Sequence, residues 1–183
     1  MTELHLPERL ETVRLCLRRL VPGDAAIMHE TYTTDPETVK FLSWVRHETL
    51  AETEAVVERF GEWWDEPGGE KVLAICRRTE PARPIGTIGC RRKGDAVSFG
   101  YVIGREFWGK GYVTEALAAI RDLCFADPKI RRFWAWCDVE NIASARVMEK
   151  AGLALESRKP RYSVMPNLGP DARDCLIYAM ERP

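Results

Sequence analysis

The sequence predicts a mixed α/β domain in which helices flank a single sheet. Over residues 96–125 the apolar pattern changes from the unbroken run of a buried strand to the spacing of a helix. Strand and helix patterns alternate in the same way along the rest of the chain. With 183 residues, 45% hydrophobic and 30% charged, the chain has the size and composition of a single globular domain, 1–183.

The first third of the chain is predicted to supply one strand and several helices. Residues 13–20 alternate as a strand whose wet face holds Arg14, Cys16 and Arg18. Asp24 is the predicted N-cap of a helix that runs to about residue 32. A capping box at 49–52 starts a longer helix, whose apolar stripe favours a core role over a binding site.

The remaining chain is predicted to complete the sheet and to add two helices. The segment 96–103 is expected to be a strand buried on both faces, because its apolar run is continuous. It leads into a helix from about residue 112. Asn141 is the predicted N-cap of a second helix, which ends with Gly152 in the C′ position. The other predicted strands are 71–77, 84–91, 132–139, 153–156 and 174–180.

Composition and charge limit the classes of partner. Lys and Arg number 27 against 28 Asp and Glu, so nucleic acid is not expected as the main partner. No apolar run approaches the roughly 20 residues that span a bilayer, so no membrane partner is expected. Residues 1–9 are polar and lack a signal-peptide core, which predicts a cytoplasmic location. Six scattered cysteines without metal-ligand spacing predict buried, reduced thiols and no metal site.

The turn 108–112 carries the strongest functional signal. A glycine-bearing turn that opens a helix leaves backbone N–H groups unpaired at the positive end of the helix dipole, which suits phosphate. A Walker A loop would need Ser or Thr directly after Lys110, where this chain has Gly111. A dinucleotide fingerprint would need a third glycine where this chain has Thr114. The turn therefore predicts an anion site of neither type.

Two segments carry a family resemblance. The run 103–117, Ile-Gly-Arg-Glu-Phe-Trp-Gly-Lys-Gly-Tyr-Val-Thr-Glu-Ala-Leu, resembles the acyl-CoA pyrophosphate loop of the GNAT N-acetyltransferase superfamily, in its RimJ/RimL-like branch. The run 141–152 resembles the next helix of that branch. The resemblance implies a mixed, mostly antiparallel sheet with a splayed central strand pair. It also implies an acetyl-CoA-dependent N-acetyltransferase that acts on a primary amine.

The resemblance also assigns binding roles. The loop would bind the pyrophosphate of acetyl-CoA through its N–H groups, and the strand edge before it would bind the pantetheine amides. Trp108 is usual for the branch, whereas Val113 stands where the family carries Gly or Ala. The regions of Trp44 and 167–173 would help to form the acceptor site. The implied cofactor-binding residues are Tyr101, Val102, Ile103, Trp108, Gly109, Lys110, Gly111, Tyr112, Val113, Thr114, Asn141 and Ser144.

Two residues are predicted to act in catalysis. Ser144 is predicted to give a proton to the departing CoA thiolate, because Met148 stands where many relatives carry Tyr. The acceptor amine must lose a proton before it attacks. Ser98 stands where relatives often carry a Glu base. Glu140 is therefore predicted to act as the base through water, with Asp138 as the other candidate.

Several alternatives stay open from the sequence. The acceptor is a protein N-terminus or a small amine such as an amino acid, a polyamine or an aminoglycoside, and a homodimer is compatible with the resemblance. Because the usual Glu and Tyr are absent, a CoA-binding sensor or partner module without turnover is the alternative function. A ping-pong route through Cys137 or Cys90 is a third possibility, although direct transfer is the prediction.

Overall fold

The protein is built on one eight-stranded sheet with helices packed on both faces. The computed structural model describes residues 3–182. The strands are β1 (Arg9–Glu11), β2 (Leu15–Arg19), β3 (Lys71–Arg77), β4 (Glu80–Lys93), β5 (Ala96–Ile103), β6 (Arg132–Asp138), β7 (Ala154–Val164) and β8 (Ala172–Glu181). The α-helices are α1 (Asp24–Met28), α2 (Pro36–Val39), α3 (Leu50–Asp65), α4 (Tyr112–Ala126) and α5 (Ile142–Lys150).

The sheet order is β1-β2-β3-β4-β5-β6-β8-β7. Strands β5 and β6 pair in parallel, and every other described pairing is antiparallel. The prediction of a mixed, mostly antiparallel sheet flanked by helices is confirmed. The single parallel pair arises because α4 connects β5 to β6 as a crossover.

Each face of the sheet has its own apolar core. On one face, α4 and α5 bury Leu117, Ile120 and Met148 against the sheet. On the other face, α1 and α3 bury Met28 and Val57. All six cysteines are buried and unpaired, as predicted. Among residues 3–182, no helix is long and apolar enough to cross a membrane, and no cluster of His, Cys, Asp and Glu could hold a metal ion.

Several helix ends form as the sequence predicts. Thr49 and Glu52 form the reciprocal capping box of α3. The Asn141 side chain accepts the Ser144 N–H at 3.1 Å and caps α5. Gly152 follows the end of α5 with a φ of 91°, the left-handed conformation that glycine adopts at lowest cost.

Two predictions for the first third of the chain are wrong. Strand β2 has no wet face: Leu15 and Cys16 are both fully buried, because each face of the strand meets a core. The N-cap of α1 is Gly23, and the buried Asp24 instead accepts two bonds from the Arg18 guanidinium. The helical segment ends near residue 32 as predicted, although α1 gives way after Met28 to a π-helical turn, His29–Thr33. Strand β1 was also not predicted.

Strand β5 is not buried on both faces. Val97 and Phe99 point into a core, but Ser98 is half-buried and Gly100 is exposed. The face that holds Ser98 and Gly100 borders a cavity instead of a helix. A continuous apolar and small-residue run is therefore compatible with a strand that has one open face.

Candidate active site

The turn between β5 and α4 has the geometry of an anion site. Gly109 and Gly111 have φ values of 72° and 76°, in the left-handed region that other residues rarely adopt. The first bond within α4 runs from the Glu115 N–H to the Gly111 carbonyl oxygen, 3.1 Å away. The N–H groups of 112–114 precede that bond, so they are the orphan donors of the helix start. No atom lies within 4 Å of the position of a Cβ on Gly109, which leaves the turn open to a ligand.

Side chains outside the turn hold its shape. The Trp108 indole Nε1–H donates to the Ile103 carbonyl oxygen at 2.8 Å. The Arg14 guanidinium donates to the Lys110 carbonyl oxygen at 2.9 Å and lies over the Tyr112 ring. The same guanidinium donates to Glu115, with an Nε–Oε2 distance of 2.6 Å. The turn is therefore fixed before any ligand binds, which lowers the entropic cost of binding.

Glu115 links α4 to the N-terminal strands. Its carboxylate accepts the Thr12 hydroxyl at 2.6 Å and the Arg14 backbone N–H at 2.8 Å, in addition to the Arg14 side chain. Burial alone would raise the pKa of Glu115, but these hydrogen bonds and the guanidinium charge together lower that pKa. The carboxylate is fully engaged by Thr12 and Arg14, so its negative charge is compensated within the protein.

Val113 departs from the family pattern without blocking the turn. Its side chain is 5% exposed and packs in the core beneath α4. Only its N–H remains to face a ligand at the helix start. Thr114 is half-buried in the same turn, and Lys110 is exposed beside it.

Strands β5 and β6 separate next to this turn. Their parallel pairing covers only Ala96–Arg132, Val97–Phe133 and Ser98–Trp134. The next five residues of β5, 99–103, pair with β4 alone among the described strands. The predicted splay of the central strand pair is confirmed. Residues 101–103 thus have one edge without a neighbouring strand, next to the anion site.

The tyrosine and serine hydroxyls meet across this opening. The Tyr101 hydroxyl of β5 lies 2.7 Å from the Ser144 Oγ of α5. Burial raises the pKa of Tyr101 far above its usual range, although the bond to Ser144 acts in the opposite direction. Both groups are therefore neutral hydroxyls near pH 7, and each can donate or accept. The Tyr101 side chain had no predicted role, and no spacing in the sequence indicates that it reaches Ser144.

The predicted bases lie in an ion pair. Asp138 is fully buried and accepts the Arg173 Nε–H at 2.5 Å. Glu140 is exposed, and its Oε2 lies 2.8 Å from the Arg173 Nη2. Both candidate bases are therefore bound by the same guanidinium, that of Arg173. The role of Glu140 stays a prediction.

Asn167 connects the two segments predicted to form the acceptor site. Its Nδ2 donates to the carbonyl oxygens of Val39 and Trp44 at 2.9 and 2.8 Å. Its Oδ1 accepts the Arg46 N–H at 3.0 Å. The loop between β7 and β8 is therefore bound to the segment between α2 and α3.

The fold, the splayed strands and the anion site together define a protein of the acyl-CoA N-acyltransferase fold. The family model described as "Acetyltransferase (GNAT) domain" matches residues 14–154, so the chain belongs to this family and is an enzyme of acetyl transfer. The chain is 26% identical over 162 residues to the uncharacterized N-acetyltransferase p20 of Bacillus licheniformis. The aligned region covers 84% of this chain and 89% of that protein.

Solved structures share the fold. A GNAT-family acetyltransferase from Bacillus anthracis has a TM-score of 0.81 and 26% identity, over 95% of this chain and 98% of that one. RimL, a ribosomal L7/L12 alpha-N-protein acetyltransferase solved in complex with coenzyme A, has a TM-score of 0.80 and 21% identity, over 93% of this chain and 95% of that one. The predicted superfamily and its RimJ/RimL-like fold are confirmed.

Proposed function

We propose that this protein is an acetyl-CoA-dependent N-acetyltransferase that transfers the acetyl group directly to a primary amine. The observation that carries the proposal is that three features share one opening. They are the orphan N–H groups of 112–114, the edge of 101–103 that no described strand covers, and the Ser144 hydroxyl. An acyl-CoA needs phosphate donors, an edge for the pantetheine amides and a proton source at the thioester.

The residues present fit acetyl-CoA. Gly109 and Gly111 carry no side chain, and no atom lies within 4 Å of a Cβ position on Gly109, so phosphate oxygens can approach the backbone there. The Asn141 amide is held as an N-cap next to Ser144, in reach of the same opening. Acetyl-CoA, when bound, supplies the acetyl group as a thioester. Ser144 supplies a proton toward the sulfur, and Tyr101 restores it through the hydroxyl pair.

Direct transfer is favoured over an acyl-enzyme on a cysteine. Burial raises the pKa of Cys137 to about 12 and that of Cys90 well above its usual value. Both groups are therefore thiols at neutral pH, and the thiolate is the nucleophilic form. The sensor alternative is not favoured, because the chain belongs to an acetyltransferase family.

The first experiment separates these possibilities. Calorimetry with CoA is expected to give a Kd below about 1 mM, in the range typical of enzyme substrates. Thiol release from acetyl-CoA is then measured with amino acids, polyamines, aminoglycosides and peptides with free N-termini. Release that depends on one amine class supports the proposal and identifies the acceptor. Binding without release from any amine indicates a sensor, and a stable acetyl adduct on the protein indicates ping-pong transfer.

A further inference from the structure

A second opening lies on the other face of the split strands. A cavity of about 260 Å³ begins where β5 and β6 separate. Its floor is the cross-strand pair Gly89 and Gly100, and its walls include Trp134, Trp136 and Glu70. The Tyr101 side chain leaves β5 in the opposite direction from Gly100, because neighbouring residues of a strand alternate faces. The cavity and Ser144 therefore lie on opposite sides of the strand gap.

Glu70 is positioned in this cavity by two glycines. A Cβ on Gly69 would lie 2.0 Å from the Trp63 carbonyl oxygen, so only glycine allows the turn that leads from α3 to Glu70. The Glu70 Oε1 then occupies the space above Gly89, where a Cβ would lie 2.2 Å from it. Above the neighbouring Gly100 there is no atom within 4 Å of a Cβ position. The carboxylate thus borders an empty volume that is large enough for a small group.

The surroundings of Glu70 suit a proton acceptor. Within residues 3–182, the Glu70 carboxylate accepts no hydrogen bond and forms no ion pair. Burial raises the pKa of Glu70, and the charge of Arg91 on β4 partly opposes that rise. Cys90, the other titratable neighbour, lies in the core and stays a neutral thiol. A carboxylate with a raised pKa and free lone pairs suits a general base. Glu140, in contrast, lies in an ion pair with Arg173.

We propose that Glu70 is the base that removes a proton from the acceptor, and that the acceptor is a primary amine that enters between Trp134 and Trp136. The inference rests on the proposed function and deepens it. Aromatic rings attract ammonium ions, and the rings of Trp134 and Trp136 line the cavity. Glu70 attracts the ion by charge, against the like charge of Arg91, which also lines the cavity. Because the cavity opens at the strand gap, the amine would meet the acyl group from the face opposite Ser144.

The proton balance follows from this arrangement. The Glu70 carboxylate takes one proton from the ammonium, which frees the nitrogen lone pair. The N–C bond forms, and the C–S bond breaks with its electron pair on sulfur. The thiolate gains a proton from Ser144. The nitrogen loses its second proton as the amide forms, and one proton from solvent restores the Ser144 hydroxyl through Tyr101 in exchange for it. Glu70 returns its own proton to solvent. The net products are the amide, the CoA thiol and one released proton.

The test is Glu70→Gln, which keeps the shape of the side chain and removes the basic oxygen. With the acceptor identified by thiol release, kcat and KM are measured from about pH 6 to about pH 10, across the range in which amines deprotonate. The expected result at pH 7 is a loss of about 10²-fold in kcat, typical of a missing general base. The deficit should shrink toward pH 10, because free amine is then available without the base. The Kd for CoA should be unchanged.

The controls separate catalysis from structure. Glu66→Gln removes an exposed carboxylate four residues earlier and should behave as the wild type. Glu140→Gln, tested in parallel, should lose less than Glu70→Gln at pH 7. The proposal is overturned if Glu70→Gln keeps wild-type kcat, if only its KM rises, or if its loss is the same at every pH. Absence of thiol release from the wild type with every amine contradicts the proposed function itself.

Discussion

The hydroxyls of Tyr101 and Ser144 lie 2.7 Å apart, although 43 positions separate them in the chain. Tyr101 belongs to β5 and Ser144 to the first turn of α5, so the pair bridges the two sides of the splayed strands. This bond orients the serine hydroxyl and gives it a neighbour that can resupply a proton.

We expect Ser144→Ala to lower kcat by about 10²-fold, the typical contribution of one proton-transfer group. The cap of α5 should survive, because Asn141 accepts the backbone N–H of residue 144 and not its side chain. Steady-state kinetics and CoA calorimetry together check this, since the Kd for CoA should change little. Tyr101→Phe is the matched variant and should show a smaller loss. An unchanged kcat in Ser144→Ala would mean that water protonates the thiolate.

We expect Gly111→Ala to weaken CoA binding and to lower the free energy of unfolding by about 1 kcal/mol, since residues with a Cβ are strained at positive φ. Its φ of 76° falls in that region. Gly61→Ala is the opposite control. Gly61 lies inside α3, with open space at its Cβ position, so alanine should stabilise the protein by up to about 1 kcal/mol. Urea unfolding of both variants gives the comparison, and equal effects would contradict the strain argument.

We expect the contacts of Glu115 to make part of the stability pH-dependent. Folding lowers the pKa of Glu115. The contribution of Glu115 to the free energy of unfolding is therefore complete above the ordinary carboxyl pKa, and it is lost as the pH falls through the pKa of the folded state. Glu115→Gln should therefore destabilise the protein at pH 7 and less near about pH 3, below the ordinary carboxyl pKa, where part of the wild-type contribution is already lost. Urea unfolding at both pH values measures this. Glu58→Gln on the exposed side of α3 should show no such difference.

We expect Asn167→Ala to raise the KM for the acceptor without changing the Kd for CoA. The substitution removes three hydrogen bonds to the segment 39–46, each worth about 1 kcal/mol. That segment would then move independently of the loop between β7 and β8. Limited proteolysis should show faster cleavage within 39–46. Leu168→Ala, at an exposed neighbouring position, serves as the control. If CoA affinity falls instead, Asn167 supports the donor site.

The sequence determined most of the local structure and the superfamily. The capping box at Thr49, the Asn141 cap and the glycine turn at 109–111 are set by residues close together in the chain, so their spacing predicts them. The loop pattern at 103–117 predicted the superfamily, and with it the proposed acyl-CoA site, for the same reason.

The tertiary structure decided which strand faces are covered and which distant residues come into contact. Whether a strand is covered on one face or on two depends on which helices pack against it. The structure covers both faces of β2, where one was predicted, and leaves one face of β5 open, where none was predicted. Arg14 reaches the turn before α4, Tyr101 reaches Ser144, and Glu70 comes to lie over Gly89 only because the sheet places their strands together. Such contacts join residues separated by many positions and leave no periodic signal in the sequence. Spacing along the chain therefore predicted the proposed donor site, whereas packing between strands placed the groups that we propose to move protons.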